Sequence, residues 1–552
     1  MTPIVSKNLQ ALASVQASLH ERIHWPVEGD HLGQSPAGEW TLTHRGTRVP
    51  AMLTDQEIQR ACEGVGPESR STIFLFGVGL GELLKALLER APQATVIAWE
   101  RDPWLLRQAL TLHDWVHPLI ENRLRFALNA DLGPLVQSGL GKDVVFHPLL
   151  SRMYANEFTL VHDGVKSNRV LVCCGSLFVD PLASALRKEG FSVLSLDSER
   201  ISEEETNQVI QTWNPALLIG INHKNGLAEF CEERGVHSIF WEIDPALNEP
   251  DALRLHTPHS HIFTYRKGSM AAFERAGFPN VSYLPLAADE IKCKPQLLTS
   301  DQQIRYGAKV SFVGTSLLQN LEEFQQAFSR QHQAWQGTGA DQCGGLMQEV
   351  VRRQQADLSH YSIPEHLDAL CPGFRLHCKQ QAQIDPALYL AEISGSEKRL
   401  NYMAALAPHE PVAWGDEGWR KVEPHGVRYM GPALHNTELP LIYCGSTINV
   451  DIGRLYQNDI VTMRVFDILA CGGFVLAEHS EALSDLFEIG VEVESYRTLG
   501  ELTSKVEYFL EHPEEARTIA QRGRESVLQR HTIRGRVAHM LDAVSAASTM
   551  AA

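Results

Sequence analysis

Two groups of residues have types and spacing suited to chemistry. Gly77, Gly79 and Gly81 make a GxGxG run after the apolar stretch TIFLF, and Glu100 follows nineteen residues beyond Gly81, at the end of the next apolar stretch. Glycines in such a turn let a ligand approach the backbone. The helix start that follows favours anions, and a carboxylate at the next strand end is placed for a ribose hydroxyl. This is the pattern of a dinucleotide or S-adenosylmethionine site. The spacing departs from GxGxxG, and the competing reading is that the glycines only permit tight strand-to-helix packing. His223 in GINHKNG and Asp244 in FWEIDP each follow a predicted parallel strand. Ligands of open α/β sheets bind there, and either side chain is a candidate proton acceptor. The plainer reading of both is a loop or helix cap. Lys224 and Lys267 carry the charge to neutralise a phosphate, or are simply solvated. The ten cysteines show no CxxC pair and no His partner at zinc-finger spacing, so no protein-bound metal is expected.

These residues sit on a recurring element. TIFLFG (72–77), RVLVCCG (169–175) and KVSFVG (309–314) are short β-branched or aromatic runs that stop at glycine. That is how a buried parallel strand enters a turn before a helix. Three such starts predict three doubly wound sheets, with boundaries in the polar stretches near 160–168 and 292–308. Between 317 and 370 the sequence becomes polar and helical, which reads as an insertion in the third unit. From Leu499 to Ala547 it is helical again, with a helix start at Pro513 followed by Glu514 and Glu515.

Composition narrows the classes. A chain of 552 residues exceeds one hydrophobic core, and three domains are expected. With 44% hydrophobic and 21% charged residues and no apolar run long enough to span a bilayer, the chain reads as a soluble globular protein. The first thirty residues lack a signal peptide's apolar core, and scattered cysteines fit a reducing compartment, so a cytoplasmic location is expected. A net charge of −18 argues against nucleic acid as the main partner, while leaving room for one basic pocket.

The segment TMRVFDILACGGFVLAEHSEALSDLF (462–487), with HPEEARTIAQRGRESVLQRHTIRGRV (512–537) beyond it, resembles the CgeB-like, spore-maturation type glycosyltransferases of the group-1 GT-B superfamily. SIFWEIDPAL, HIFTYRKGSMAAFERAGFPNVSYLPLAAD and KVSFVGTS fit the same resemblance, which runs from about 165 to 545. The stretch FGVGLGELLKALLE with VIAWERDP resembles the N-terminal nucleotide-fold domain of flagellin-modifying motility-accessory glycosyltransferases.

The resemblance implies an α/β chain in three parts. A Rossmann-like, methyltransferase-like accessory domain spans 1–165, a GT-B acceptor-side domain 166–300, and a GT-B nucleotide-sugar domain 301–552. It implies a donor diphosphate met by Arg464 and by free amides at Thr462 and Met463, where a helix begins. Asp459 and Asp467 stand at the spacing of the superfamily's E-x7-E motif, as aspartates rather than glutamates. Asp467 is the better ribose or donor-sugar contact, with a dipole-complementing helix acid as its alternative. Gly472 and Gly473 read as the tight entry to the next strand with a possible donor contact, and Glu481 as a donor-sugar contact or a solvated acid. Gly314 reads as the glycine loop opposite the diphosphate or as a plain turn. His223, Asp244 and Asp467 are the catalytic candidates.

The expected activity is transfer of a sugar from a UDP, GDP, dTDP or CMP donor to a protein such as flagellin, or to a surface glycan, with no bound cofactor. Two alternatives stand beside it. One is a methyltransferase using the GxGxG domain, and the other a non-catalytic nucleotide-sugar-binding module.

Overall fold

The computed structural model describes residues 3–23, 32–35, 37–44, 47–140, 143–173, 178–197, 201–244, 249–336, 340–382, 384–435 and 437–551. Gly175, expected to end the second strand run, and Pro245–Leu247 of the SIFWEIDPAL motif lie outside these residues. The chain divides into two compact units, one of 1–221 with 231–239, the other of 222–230 with 240–552. It is mixed α/β, and its larger sheets are parallel.

The first unit opens with helices Pro3–Val15 and Ala17–Ile23 and a small antiparallel sheet of β1 (Leu32–Gln34), β2 (Trp40–His44) and β3 (Thr47–Pro50). A four-stranded parallel sheet follows, made of β4 (Thr72–Phe76), β5 (Thr95–Trp99), β6 (Leu124–Ala127) and β7 (Asp143–Phe146) in the order β6-β5-β4-β7. Alternating apolar residues of β4 and β5 bury against Leu83, Leu84 and Leu87 of helix Glu82–Arg90 and against the first helix. Asn8, fully buried on that first helix, ties it to the sheet's helical layer. Its amide donates to the carbonyls of Leu110 and His113 at 2.7 Å each and accepts the Trp115 N–H at 2.8 Å.

Strand β6 is an edge, and Gln16 covers it. The Gln16 side-chain amide donates to the Phe126 carbonyl (2.8 Å) and accepts the Phe126 N–H (2.9 Å), as a neighbouring strand would. Three further parallel strands, β8 (Arg169–Cys173), β9 (Ser192–Leu196) and β10 (Leu217–Ile221), pair with β8 in the middle, Val170 opposite Leu217 and Val193.

Strand β11 (His237–Glu242) crosses from the first unit into the second. In the second unit β12 (Ser260–Thr264) and β13 (Asn280–Tyr283) pair in parallel. The unit's main sheet holds β14 (Ala308–Val313), β15 (Val412–Trp414), β16 (Arg428–Tyr429), β17 (Ser446–Val450), β18 (Val475–Glu478) and β19 (Glu494–Tyr496), in the order β16-β15-β14-β17-β18-β19.

Between β14 and β15 the chain runs through helices Leu321–Gln336, Ala340–Gln355, Ile363–Leu370, Phe374–Ala382 and Pro386–Ala405. Phe328, Val350, Ile363, Leu367, Phe374 and Leu390 give these helices a core of their own. The long helix Pro386–Ala405 also contributes Tyr402 and Met403 to the main sheet's core, which fixes the helical segment to the sheet. Pro513 starts a helix at its first position, with Glu514 and Glu515 in the first turn, as the sequence indicates. No described helix is long and apolar enough to cross a membrane.

Candidate functional site

In the first unit the GxGxG turn leaves the carboxyl end of β4, beside β7. All three glycines have positive φ (85°, 62° and 104°), a conformation that side chains disfavour. The space above them is filled by protein. A Cβ on Gly77 would stand 2.9 Å from Leu150, one on Gly79 2.5 Å from Nε2 of His147, and one on Gly81 2.8 Å from His113.

Glu100, fully buried, turns its carboxylate back onto the turn. One oxygen accepts the amides of Val78 (3.0 Å) and Gly79 (3.1 Å), and the other the Tyr154 hydroxyl (2.5 Å). The acid expected at a ribose therefore caps its own glycine loop, which is the packing reading of the motif. Burial and the charge of Asp102 raise its carboxyl to about 7, while burial drives the His147 imidazole down to about 3.

The second unit's main sheet changes winding direction between β14 and β17, from which the chain proceeds to opposite edges. A crevice opens at the carboxyl ends of such strands. Its floor is the turn Gly314–Thr315–Ser316 and the segment after β17 that starts at Asp451. Arg464 reaches into it from the first turn of helix Met463–Ala470. Its Nε donates to Asp451 Oδ1 (2.8 Å), one terminal nitrogen to the Val313 carbonyl (2.6 Å), and the guanidinium lies 4.7 Å from the centre of the Phe312 ring.

Gly314 is required by this closeness, because a Cβ there would stand 2.7 Å from the Arg464 guanidinium. Thr462, the helix N-cap, does not cap its own first-turn amides. Its hydroxyl donates to Asp451 Oδ1 at 2.8 Å. Gly314, Thr462, Met463 and Arg464 are thus brought together.

Two further residues of the crevice carry no sequence signal read above. Asp451, 3% exposed, organises Thr462 and Arg464. Arg399, buried on helix Pro386–Ala405, donates to the carbonyls of Thr315 (2.7 Å) and Ile452 (3.1 Å), and its Nε has no partner. Burial and the nearby cations Arg464 and Arg454 lower the Arg399 guanidinium to about 9. Three arginines thus converge where Asp451 and Glu392, the latter 3.0 Å from Arg454, are their acidic partners. Asp451 was legible as an acid ending the strand STINVD, the signal that marked Asp244. Arg399 comes from a distant helix and had none.

The other candidates fall elsewhere. Asp459 pairs with Arg266 at 2.9 Å. Asp467 is 3% exposed and faces the Cys293 thiol and the amide of Asp289, and burial raises its carboxyl to about 6. Gly472 (φ 75°) and Gly473 make the turn into β18, where a Cβ on Gly473 would strike the Tyr443 carbonyl at 2.8 Å, so their role is architectural. Glu481 is exposed at the start of helix Glu481–Leu486, which Ser480 caps.

His223 and Asp244 meet at a cavity of about 910 Å³ within the second unit, walled on one side by Glu242, Tyr265, Arg266 and Phe273 and on the other by Tyr361, Arg375, Lys379 and Asp385 of the helical segment. The His223 ring packs edge-on against Phe240, Phe273 and Phe278, with Nε2 buried and unpartnered, and burial lowers it to about 4. Asp244 is exposed and accepts the Asn222 side-chain amide at 2.8 Å. Glu242, the last residue of β11, also lines this cavity and was not picked out from the sequence. Among the described residues no group of three or more His, Cys, Asp or Glu is placed to hold a metal ion.

Residues 397–542 match the sequence model of a family described as glycosyl transferase-like. No curated protein's sequence matches this one. Among solved structures the chain is similar to sucrose-phosphate synthase from Thermosynechococcus elongatus, at 11% identity over 69% of this chain and 100% of that one, with a TM-score of 0.39. It is similar to a glycosyltransferase from Rickettsia africae ESF-5 at 8% identity over 69% and 98%, with a TM-score of 0.42. It is also similar to Anabaena HepE in complex with UDP and glucose, at 12% identity over 86% and 100%, with a TM-score of 0.33.

Proposed function

We propose that this chain is a glycosyltransferase of the GT-B type that moves a sugar from a nucleotide-sugar donor to a protein, such as flagellin, or to a surface glycan. One observation carries the reading. The glycosyl transferase-like match over 397–542 contains Arg399, Asp451, Thr462 and Arg464, the residues that converge at the winding reversal of the second unit's main sheet.

In this reading 301–552 binds the donor, 166–300 the acceptor, and 1–165 is an accessory domain. The leaving diphosphate gathers negative charge as the glycosidic bond breaks. A preorganised cluster of guanidinium groups and the amides opening helix Met463–Ala470 stabilise that charge without rearranging. Arg464 and Arg399 already have fixed partners, so they are held in place rather than ordered at the moment of reaction. The glycine turn of the first unit is not assigned a ligand, because Glu100 takes the loop amides on which a methyltransferase reading depends.

The test is calorimetric titration of the full chain with UDP, GDP, dTDP and CMP. One of them is expected to bind, and Arg464→Lys to weaken it at least about tenfold, since a lysine cannot hold Asp451, the Val313 carbonyl and a phosphate together. Binding of none of the four, or an Arg464→Lys affinity equal to wild type, sinks the reading.

A further inference from the structure

Glu242 is a buried acid with no cation paired to it among the described residues. It ends strand β11 and is 7% exposed, and its carboxylate accepts the backbone N–H of His223. The charge acting on it is that of Asp244, two residues on and of the same sign. No lysine or arginine among the described residues forms an ion pair with it. A carboxylate in that setting costs stability. The fold nevertheless places it on the wall of the cavity described above.

We infer that Glu242 is the general base of the transfer, taking the proton from the acceptor hydroxyl. This rests on the glycosyltransferase reading. In the step, the acceptor O–H bond breaks and its proton passes to the Glu242 carboxylate, while the oxygen forms a bond to the sugar's anomeric carbon. The bond from that carbon to the diphosphate oxygen breaks, and its electron pair leaves with the diphosphate. Glu242 then returns its proton to water. A direct displacement of this kind inverts the anomeric configuration.

The competing candidates are less suited. The His223 Nε2 is buried, and its ring packs edge-on against three phenylalanines. Asp244 is exposed and engaged with Asn222. Desolvation and Asp244 raise Glu242 to about 7, where a carboxylate is basic enough to accept a proton near neutrality. The other titratable groups on the cavity are Glu249, Arg266, Arg275, Arg375, Lys379 and Asp385, with the phenols of Tyr265, Tyr361 and Tyr456, and Arg275 is paired with Glu249. Arg266 is neutralised by Asp459, and both Arg375 and Lys379 by Asp385.

The experiment uses the full chain with water as acceptor and the nucleotide sugar whose nucleotide binds in the titration above. It reads diphosphate release against pH and the first-formed anomer by proton NMR. Expected are a wild-type rate that climbs through a limb near pH 7 and a product of inverted configuration. Glu242→Gln should keep nucleotide affinity within about twofold and lose about 10²–10⁴ of the rate. Asp244→Asn should move the limb to lower pH, because the like charge that raises Glu242 is gone.

Wild-type hydrolysis by Glu242→Gln, or a retained anomer, overturns the inference and leaves the transferase reading standing. If Glu242→Gln does not fold, an unmoved limb in Asp244→Asn overturns it instead. A wild type that binds no nucleotide or hydrolyses no donor removes both.

Discussion

At Arg464 the guanidinium is shared between Asp451 and the Val313 carbonyl, so a phosphate entering the crevice meets a cation that is already oriented. Gly314 makes that position possible. Gly314→Ala sets a methyl 2.7 Å from the guanidinium and 3.0 Å from Phe312, and one of them must move. The expected result is a loss of about 1–3 kcal/mol of stability with nucleotide affinity reduced several-fold, checked by urea unfolding and titration. Unchanged affinity would show that Arg464 does not bind from this position.

Glu100 gives a second prediction at this scale. Its carboxyl is raised from an ordinary 4.5 to about 7, so between those values the folded chain holds a proton that the unfolded chain has released. Its contribution is complete below about pH 4.5 and is lost as pH rises to 7. His147 works the other way, since its lowered imidazole costs stability as pH falls below 6.5. Glu100→Gln removes only the first effect. Relative to wild type, the variant should gain stability between pH 5 and pH 8 in urea titrations, and a constant difference across that range would contradict the assignment.

At the scale of elements, most of what positions the candidate site was legible and some of its residues were not. Strands β4, β8 and β14 fall on the β-branched and aromatic runs that announced them, because strands buried in a parallel sheet draw on such residues. Arg464 and the helix start followed from the segment 462–487. Asp459 and Asp467, read together from their spacing, have different surroundings. A helix begins between them at Met463, so Asp459 stays outside it and meets Arg266 while Asp467 is carried to the buried face. Arg399 and Glu242 were invisible for another reason. Their roles arise from burial beside residues remote in sequence, and no local period records that.

The edge strand β6 yields this scale's prediction. Gln16→Ala uncovers the Phe126 N–H and carbonyl, at a cost of about 1–3 kcal/mol by thermal or urea unfolding, together with greater self-association by light scattering. Gln16→Glu should cost a similar amount, because a carboxylate can accept the N–H but cannot donate to the carbonyl.

Over the whole molecule, 67 acidic residues against 49 basic ones leave a charge of −18, and the arginine cluster of the crevice is a local exception to that field. Long-range repulsion of an anionic donor is screened by salt, whereas the contacts made at the guanidinium groups are close-range. Raising salt from about 20 to 150 mM shortens the screening length from roughly 20 to 8 Å. The nucleotide association rate measured by stopped flow should therefore fall by less than in a protein whose overall charge attracts the ligand, or should rise. A steep fall would mean that the crevice's positive potential dominates the approach.

The side chain of Gln16 has a consequence beyond stability. Sheet growth between molecules proceeds by addition to a free edge, as polymerisation adds to a reactive end, and every strand added exposes another. A carboxamide that fills one residue's hydrogen-bonding places and offers none onward is a chain terminator. One glutamine outside the sheet thus stops its growth at the β6 edge, and a single mutation at this position would reopen that end.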